Sequence, residues 1–277
     1  MGGRGAAPGG RAAGVRMSVL AVIPARLGST RFPGKPLARL RGRTLIEHVW
    51  SAVVRAPSVA RAVVATDAEE IATAARAFGA EAVLTRADHA TGTDRVAETA
   101  ARVGGGYEVI VNVQGDEPLL APAALEAAVD ALAADPEAAA ATLAVPDEDP
   151  AAFASPHVVK VVCGLDGRAL YFSRAPLAGP PDERPARVLF LRHVGLYAFR
   201  RAALAAFAAW PPSPLETAER LEQLRLLEHG LRMRVAVTRY RSRGVDTPAD
   251  LAALERDWER LAAGAGGAPP GTGDPEP

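Results

Sequence analysis

From residue 19 to residue 145, short apolar runs alternate with stretches of helical spacing, and that alternation leaves few architectures open. The runs at 19–23, 62–65, 82–84, 109–113 and 140–145 are almost uniformly apolar. Between them, residues 45–55, 68–78, 94–103 and 123–133 read as helices, with Gly79 as the stop of the second. Strands apolar on both sides and separated by helices form crossover units of a parallel sheet that is covered on both faces. The expected fold class is therefore α/β, a mostly parallel sheet with helices on both faces.

Beyond residue 158 the pattern changes. Runs at 158–163, 169–172 and 192–199 read as strands, and Asp166-Gly167 suggests a hairpin turn between the first two. Residues 215–228 read as one helix ended by Gly230, 233–238 as a strand and 248–261 as a terminal helix. This half is expected to complete the sheet and to build a mixed-strand lobe over it. Residues 1–16 and 264–277 lack periodicity and read as a disordered leader and tail, and 179–187 as a mobile loop. The folded part is then a single domain over residues 17–263.

Composition excludes several classes. No apolar run approaches membrane-spanning length and there is no signal-peptide core, so the chain reads as cytoplasmic and without a membrane partner. A formal net charge of zero gives no sign of a nucleic-acid partner. The single cysteine, Cys163, excludes an internal disulfide and reads as a small core residue. Of 32 lysines plus arginines only Lys35 and Lys160 are lysine, so a lysine kept in an arginine-rich background draws attention. Lys160, within a Val-Val-Lys-Val-Val run, has no role at this stage beyond that of a strand lysine.

Directly after the first strand comes Pro24-Ala25-Arg26-Leu27-Gly28-Ser29-Thr30-Arg31-Phe32-Pro33-Gly34-Lys35-Pro36-Leu37. A loop rich in small residues at the carboxyl edge of a parallel sheet is where α/β folds bind ligands, and its amides can turn toward an anion. Arg26, Arg31 and Lys35 place three cations on it, enough to oppose a triphosphate. The loop is neither a Walker A segment nor a dinucleotide fingerprint.

The run at 109–113 ends in Gln114-Gly115-Asp116-Glu117-Pro118. An acid at the end of a buried strand needs compensation, and magnesium, which takes one or two protein carboxylates, suits Asp116. Glu117 should point the other way. A second acid, Asp246, stands in Gly244-Val245-Asp246-Thr247-Pro248-Ala249-Asp250, where Thr247, Pro248 and Asp250 make a helix cap. Asp246 is not needed for that cap, although it also reads as an aspartate favoured by the helix dipole.

These motifs closely resemble those of the nucleotidyltransferases that activate sugars, and specifically the CMP-Kdo synthetases, which act on 3-deoxy-manno-octulosonate (Kdo). The likeness runs from about residue 19 to residue 254 through at least six ordered motifs. It implies a nucleotide-diphospho-sugar transferase type of fold, with a nucleotide half at about 17–150 and a sugar-acid and dimer half at about 151–263. It implies that Arg26 and Lys35 bind the CTP phosphates, with Ala25, Ser29 and Arg31 beside them. Asp116 and Asp246 would carry magnesium, and Arg26, Lys35 and Asp116 would be catalytic. In Leu84-Thr85-Arg86-Ala87-Asp88-His89-Ala90-Thr91-Gly92-Thr93-Asp94-Arg95, the resemblance gives Arg86, Thr91 and Gly92 to the cytidine pocket, with Ala90 a mild departure from the family. The residues alone read that stretch as a helix start, capped by Thr93 or Asp94, with His89 exposed.

The sugar side follows from the same resemblance. Arg192-His193-Val194-Gly195-Leu196-Tyr197 and Leu221-Glu222-Gln223-Leu224 give His193, Tyr197, Glu222 and Gln223 to Kdo, together with Gln114. Arg174, in Tyr171-Phe172-Ser173-Arg174, is given to the sugar carboxylate. On spacing alone, His193 and Tyr197 share a strand face and also read as core packing. The expected reaction is CMP transfer from CTP to the anomeric hydroxyl of Kdo, releasing pyrophosphate, by a homodimer acting in lipopolysaccharide synthesis. Alternatives are a cytidylyltransferase for sialic acid or an amino-Kdo, and a metal-dependent glycosyltransferase.

Overall fold

The structure is a computed structural model that describes residues 17–28, 31–177, 189–241 and 243–265. Strand β1 (Val19–Ala25) leads through a 3-10 turn at Lys35–Leu37 into the short pair β2 (Arg39–Leu40) and β3 (Arg43–Thr44). Then come α1 (Leu45–Val53), β4 (Val59–Thr66), α2 (Glu69–Ala77), β5 (Glu81–Leu84) and α3 (Gly92–Val103). β6 (Val109–Asn112), α4 (Pro122–Ala133) and β7 (Ala138–Asp147) complete the alternating part. The second half contributes α5 (Pro150–Ala154), β8 (Lys160–Cys163), β9 (Ala169–Ser173), β10 (Phe190–Arg200) and α6 (Arg201–Ala209). It ends with α7 (Pro214–Glu219), α8 (Leu224–Glu228), β11 (Arg232–Val237) and α9 (Pro248–Ala265).

The main sheet runs β11-β7-β10-β6-β1-β4-β5, with β8 and β9 continuing from the outer part of β10. β1 is parallel to β4 and β6, β4 to β5, and β7 to β11, while β10 is antiparallel to both β6 and β7. The α/β, mostly parallel reading is thus what the chain adopts. Successive residues of β1 show why its run is uninterrupted. Val19, Ala21 and Ile23 face a core that includes Ile46 and Val49 of α1 and Leu125 of α4. Leu20 and Val22 face the other, with Val96 of α3 and Leu204 and Phe207 of α6. A smaller cluster, Leu40, Leu45, Leu119, Val245 and Leu254, seats α9 against the loop that follows β6.

Four expectations need correction. The helix expected at 215–228 is two helices, because Arg220 adopts the left-handed region at φ 54°. Three guanidinium bonds from Arg174 hold the surrounding backbone, to the Glu219 carbonyl at 2.9 Å, the Arg220 carbonyl at 3.4 Å and the Pro156 carbonyl at 3.0 Å. α9 continues to Ala265, past the point where the tail was expected to begin. Cys163 is half-buried at the end of β8, where burial pushes its thiol pKa up, and not a core residue. Lys160 is 1% exposed, and its ammonium donates to the carbonyls of Ser155, Val158 and Arg174 at 2.7, 2.8 and 2.7 Å. That lysine is a backbone clamp. The leader 1–16 and the loop 179–187 lie outside the described residues.

Candidate active site

Three loops meet at the carboxyl ends of β1, β5 and β6. The first turns back on itself where the Gly34 amide donates to the Leu27 carbonyl at 3.1 Å, with Gly34 left-handed at φ 70°. Lys35 follows as the first residue of the 3-10 turn and so points back toward the sheet edge. The second loop, 114–116, lies against the end of β1. A Cβ at Gly115 would come within 2.9 Å of the Pro24 carbonyl oxygen, so this approach requires glycine. The third precedes α9, and the Val245 amide pins it to the Asp116 carbonyl at 2.9 Å.

The cap read from the sequence forms there. Asp250 accepts from the Thr247 amide at 2.8 Å, and its own amide donates to the Thr247 hydroxyl at 3.2 Å. The Asp246 amide also donates to Asp250, at 3.1 Å, but its carboxylate is left free of the cap and faces the first loop. Lys35 Nζ lies 2.6 Å from Asp116 Oδ2 and 3.4 Å from Asp246 Oδ1, and Arg31 reaches the same Asp246 oxygen at 3.2 Å. Two carboxylates distant in sequence therefore face one cationic point. Glu117 turns away as expected, accepting from the Tyr240 hydroxyl at 3.0 Å.

A cavity of about 750 Å³ opens over this cluster, lined by Ala25, Arg26, Arg31, Lys35, Thr91, Gly92, Asp116 and Asp246, among others. Thr91, and not Thr93 or Asp94, is the cap of α3, in a reciprocal pair with Asp94. His89 is not an exposed polar residue: its side chain is largely buried, bonds to Glu98 and lines this cavity. Arg95, which the sequence reading missed, also lines it, with its guanidinium 3.0 Å from Asp67.

A second cavity of about 490 Å³ adjoins the first and holds Gln114, His193, Tyr197, Glu222 and Gln223. Gln114, Arg220 and Glu222 line both. The Tyr197 hydroxyl donates to Gln223 Oε1 at 3.2 Å, and the buried Gln223 Nε2 has no partner among the described residues. Glu222 accepts from Thr93 at 2.6 Å, and Thr93 in turn accepts from Asn112 at 2.9 Å. Burial raises the Glu222 carboxyl pKa, against the opposing pull of that Thr93 bond. Burial also raises the Tyr197 phenol and lowers the His193 imidazole to about 3.

Two expected residues stand elsewhere. Arg86 is 65% exposed, pairs with Asp88 at 3.4 Å and lines neither cavity. Arg174 spends its guanidinium on the three carbonyls already described and does not reach the second cavity. The cations lining that cavity are Arg192, Arg220 and Arg241, which the sequence did not single out. Among 32 basic residues, nothing in their spacing distinguishes them. Ser29 lies outside the described residues.

The sequence profile of the cytidylyltransferase family matches residues 20–234. A 3-deoxy-manno-octulosonate cytidylyltransferase of Syntrophotalea carbinolica is 50% identical over 246 residues, covering 86% of this chain and 98% of that protein. One of Geobacter sulfurreducens is 50% identical over 254 residues, covering 88% and 100%. The solved structure of a CMP:2-keto-3-deoxy-manno-octonic acid synthetase complexed with CTP superposes with a TM-score of 0.81 at 39% identity, covering 88% of this chain and 99% of that one. A 4-diphosphocytidyl-2C-methyl-D-erythritol synthase of Anaerococcus prevotii shares the fold, with a TM-score of 0.59 at 12% identity, 89% of this chain and 100% of that one. With this fold, profile match and level of identity, the chain belongs to the 3-deoxy-manno-octulosonate cytidylyltransferase family.

Proposed function

We propose that the enzyme transfers CMP from CTP to the anomeric hydroxyl of 3-deoxy-D-manno-octulosonate. A bond forms between that oxygen and the α-phosphorus, the bond from the α-phosphorus to the bridging oxygen breaks, and pyrophosphate leaves. The carrying observation is that Lys35, Asp116 and Asp246 converge at the floor of a cavity continuous in lining with a second one. Arg26, Arg31 and Lys35 neutralise the triphosphate, and the reaction then depends on positioning and charge. The second cavity suits a polyhydroxylated acid. It offers a donor at Gln223, a carboxyl at Glu222 and three arginines, which are placed to take the carboxylate role expected of Arg174.

Magnesium fits the donor set. Two carboxylates already face a common cation, and hard oxygens completed by phosphate and water are what this ion takes. Asp116 and Asp246 would hold it, and when bound it supplies charge stabilisation at the phosphates and a more acidic sugar hydroxyl. Among the described residues no helix is long and apolar enough to cross a membrane. A cytoplasmic enzyme with ready access to CTP, feeding lipopolysaccharide synthesis, accords with this reading. A homodimer accords with Leu165 and Leu170, exposed on the β8–β9 hairpin whose outer strand, among the described residues, pairs only with β8. A solution mass of one chain would remove the dimer.

Pyrophosphate release, measured for each nucleoside triphosphate against a panel of sugar acids, tests the reaction. CTP with Kdo is expected to be the most productive pair. Efficient use of sialic acid with Kdo inert would overturn the substrate, and a nucleoside phosphate as product would overturn the reaction. Arg86→Ala is expected to change KM for CTP by less than about twofold, since an exposed ion pair contributes little. A tenfold rise would return Arg86 to the nucleotide site.

A further inference from the structure

β10 is irregular where it crosses β7, and the irregularity has a chemical consequence at the second cavity. Val194 pairs with Leu143, yet the next partner on β7, Thr142, pairs with Tyr197, so Gly195 and Leu196 form a bulge. The bulge compresses the strand. His193 and Tyr197 are four residues apart but lie opposite Ala144 and Thr142, and their ring centroids are 5.5 Å apart. Regular alternation would already set both rings on one face, but roughly 13 Å apart along the strand; the bulge brings them side by side in one cavity.

The fully buried Thr142 hydroxyl sits under this bulge. It lies 2.9 Å from the Leu196 carbonyl oxygen, 3.2 Å from the Val194 carbonyl oxygen and 2.9 Å from His193 Nε2. A hydroxyl has one proton and two lone pairs, and carbonyls only accept. Two obligate acceptors thus claim that proton, and the remaining contact is satisfied only if His193 Nε2 carries a hydrogen and donates it to Thr142. Phe172 packs its edge against the His193 ring at 5.0 Å and holds its plane. Nδ1 is then the bare nitrogen, and it makes no hydrogen bond to a described residue in a ring that lines the second cavity. The low basicity of the buried ring agrees with a neutral imidazole across the working pH range.

We propose that Thr142 is a positioning residue: it fixes His193 as the Nε2–H tautomer and so presents Nδ1 as an acceptor for a hydroxyl of the sugar acid. This rests on the sugar-acid reading of the second cavity. The same neutral ring in the other tautomer would present a donor there and reject that hydroxyl's proton.

Nitrogen NMR of the full chain with labelled histidine tests the tautomer without any substrate. The chain has five histidines, and loss of one signal set in His193→Gln assigns the wanted ring. In the wild type, Nδ1 is expected to be bare and Nε2 protonated, unchanged between about pH 5 and 8. In Thr142→Val the signals should shift toward the other tautomer. KM for the sugar acid should rise about tenfold, the effect of one net hydrogen bond, with KM for CTP changed less than about twofold. Thr142→Ser should restore both. A bare Nε2 in the wild type overturns the proposal, as does a valine variant with the wild-type tautomer or with an unchanged sugar KM. Should the valine variant fail to fold, the wild-type spectrum and the serine variant still decide. If another sugar acid proved to be the substrate, the spectra would stand and the KM effect would move to that compound, so the two readings fail separately.

Discussion

Asp116→Asn is expected to lower turnover on the order of a thousandfold and to weaken CTP binding in the presence of magnesium as well. Asp246→Asn should also abolish productive turnover while leaving that binding measurable. The asymmetry follows from placement. The Asp116 side chain is 29% exposed and follows the central strand β6, beside Gln114, which lines both cavities. Asp246 is 50% exposed on the loop before α9, held there by the Thr247–Asp250 cap. Two acids facing each other alone would repel, and removing one would then stabilise the protein. Lys35 stands between them, so neither substitution should raise the melting temperature. Calorimetry of CTP with magnesium on both variants separates the roles. Normal turnover of Kdo by Asp246→Asn would reduce that residue to a helix-flanking aspartate and end the metal assignment.

Lys35→Arg should lower kcat about a hundredfold although the charge is kept. The Lys35 side chain is 15% exposed and its ammonium lies within 2.6 and 3.4 Å of two acids. A planar guanidinium is wider and forks its donors, so it cannot occupy that point and face phosphate with the same geometry. Little effect on the melting temperature is expected, because the loop is held by backbone bonds such as Gly34 to Leu27. Near wild-type kinetics would make Lys35 one interchangeable cation among several.

The buried strands were legible in the sequence because both faces of β1, β6 and β7 meet apolar partners, which leaves continuous runs with no alternation to misread. The break at Arg220 was not legible. Neither glycine nor proline marks it, and its cause is tertiary: Ser173 and Arg174 bond the Glu219 carboxylate and carbonyl from another element. α6, an alanine-rich segment, was missed altogether. At the site, the small-residue loops and the terminal-strand acids were legible because few residues do that work. Arginines were not. Arg86 and Arg174, expected at the ligands, line neither cavity, whereas Arg192, Arg220 and Arg241 line the second without any sequence signal, since a long flexible cation carries no direction in its sequence position.

The sheet order has a consequence for synthesis. All but one of the ten residues of β7 are buried, and its neighbours are β10 and β11, both made later. As the chain leaves the ribosome, β7 has no partner on either edge until Phe190–Arg200 has emerged, and its second edge stays open until Arg232–Val237 follows. An apolar strand with open edges invites pairing with other chains. The first half of the chain, through β7, is therefore no detachable module: it cannot close its own sheet, and β11 is the strand that seals it.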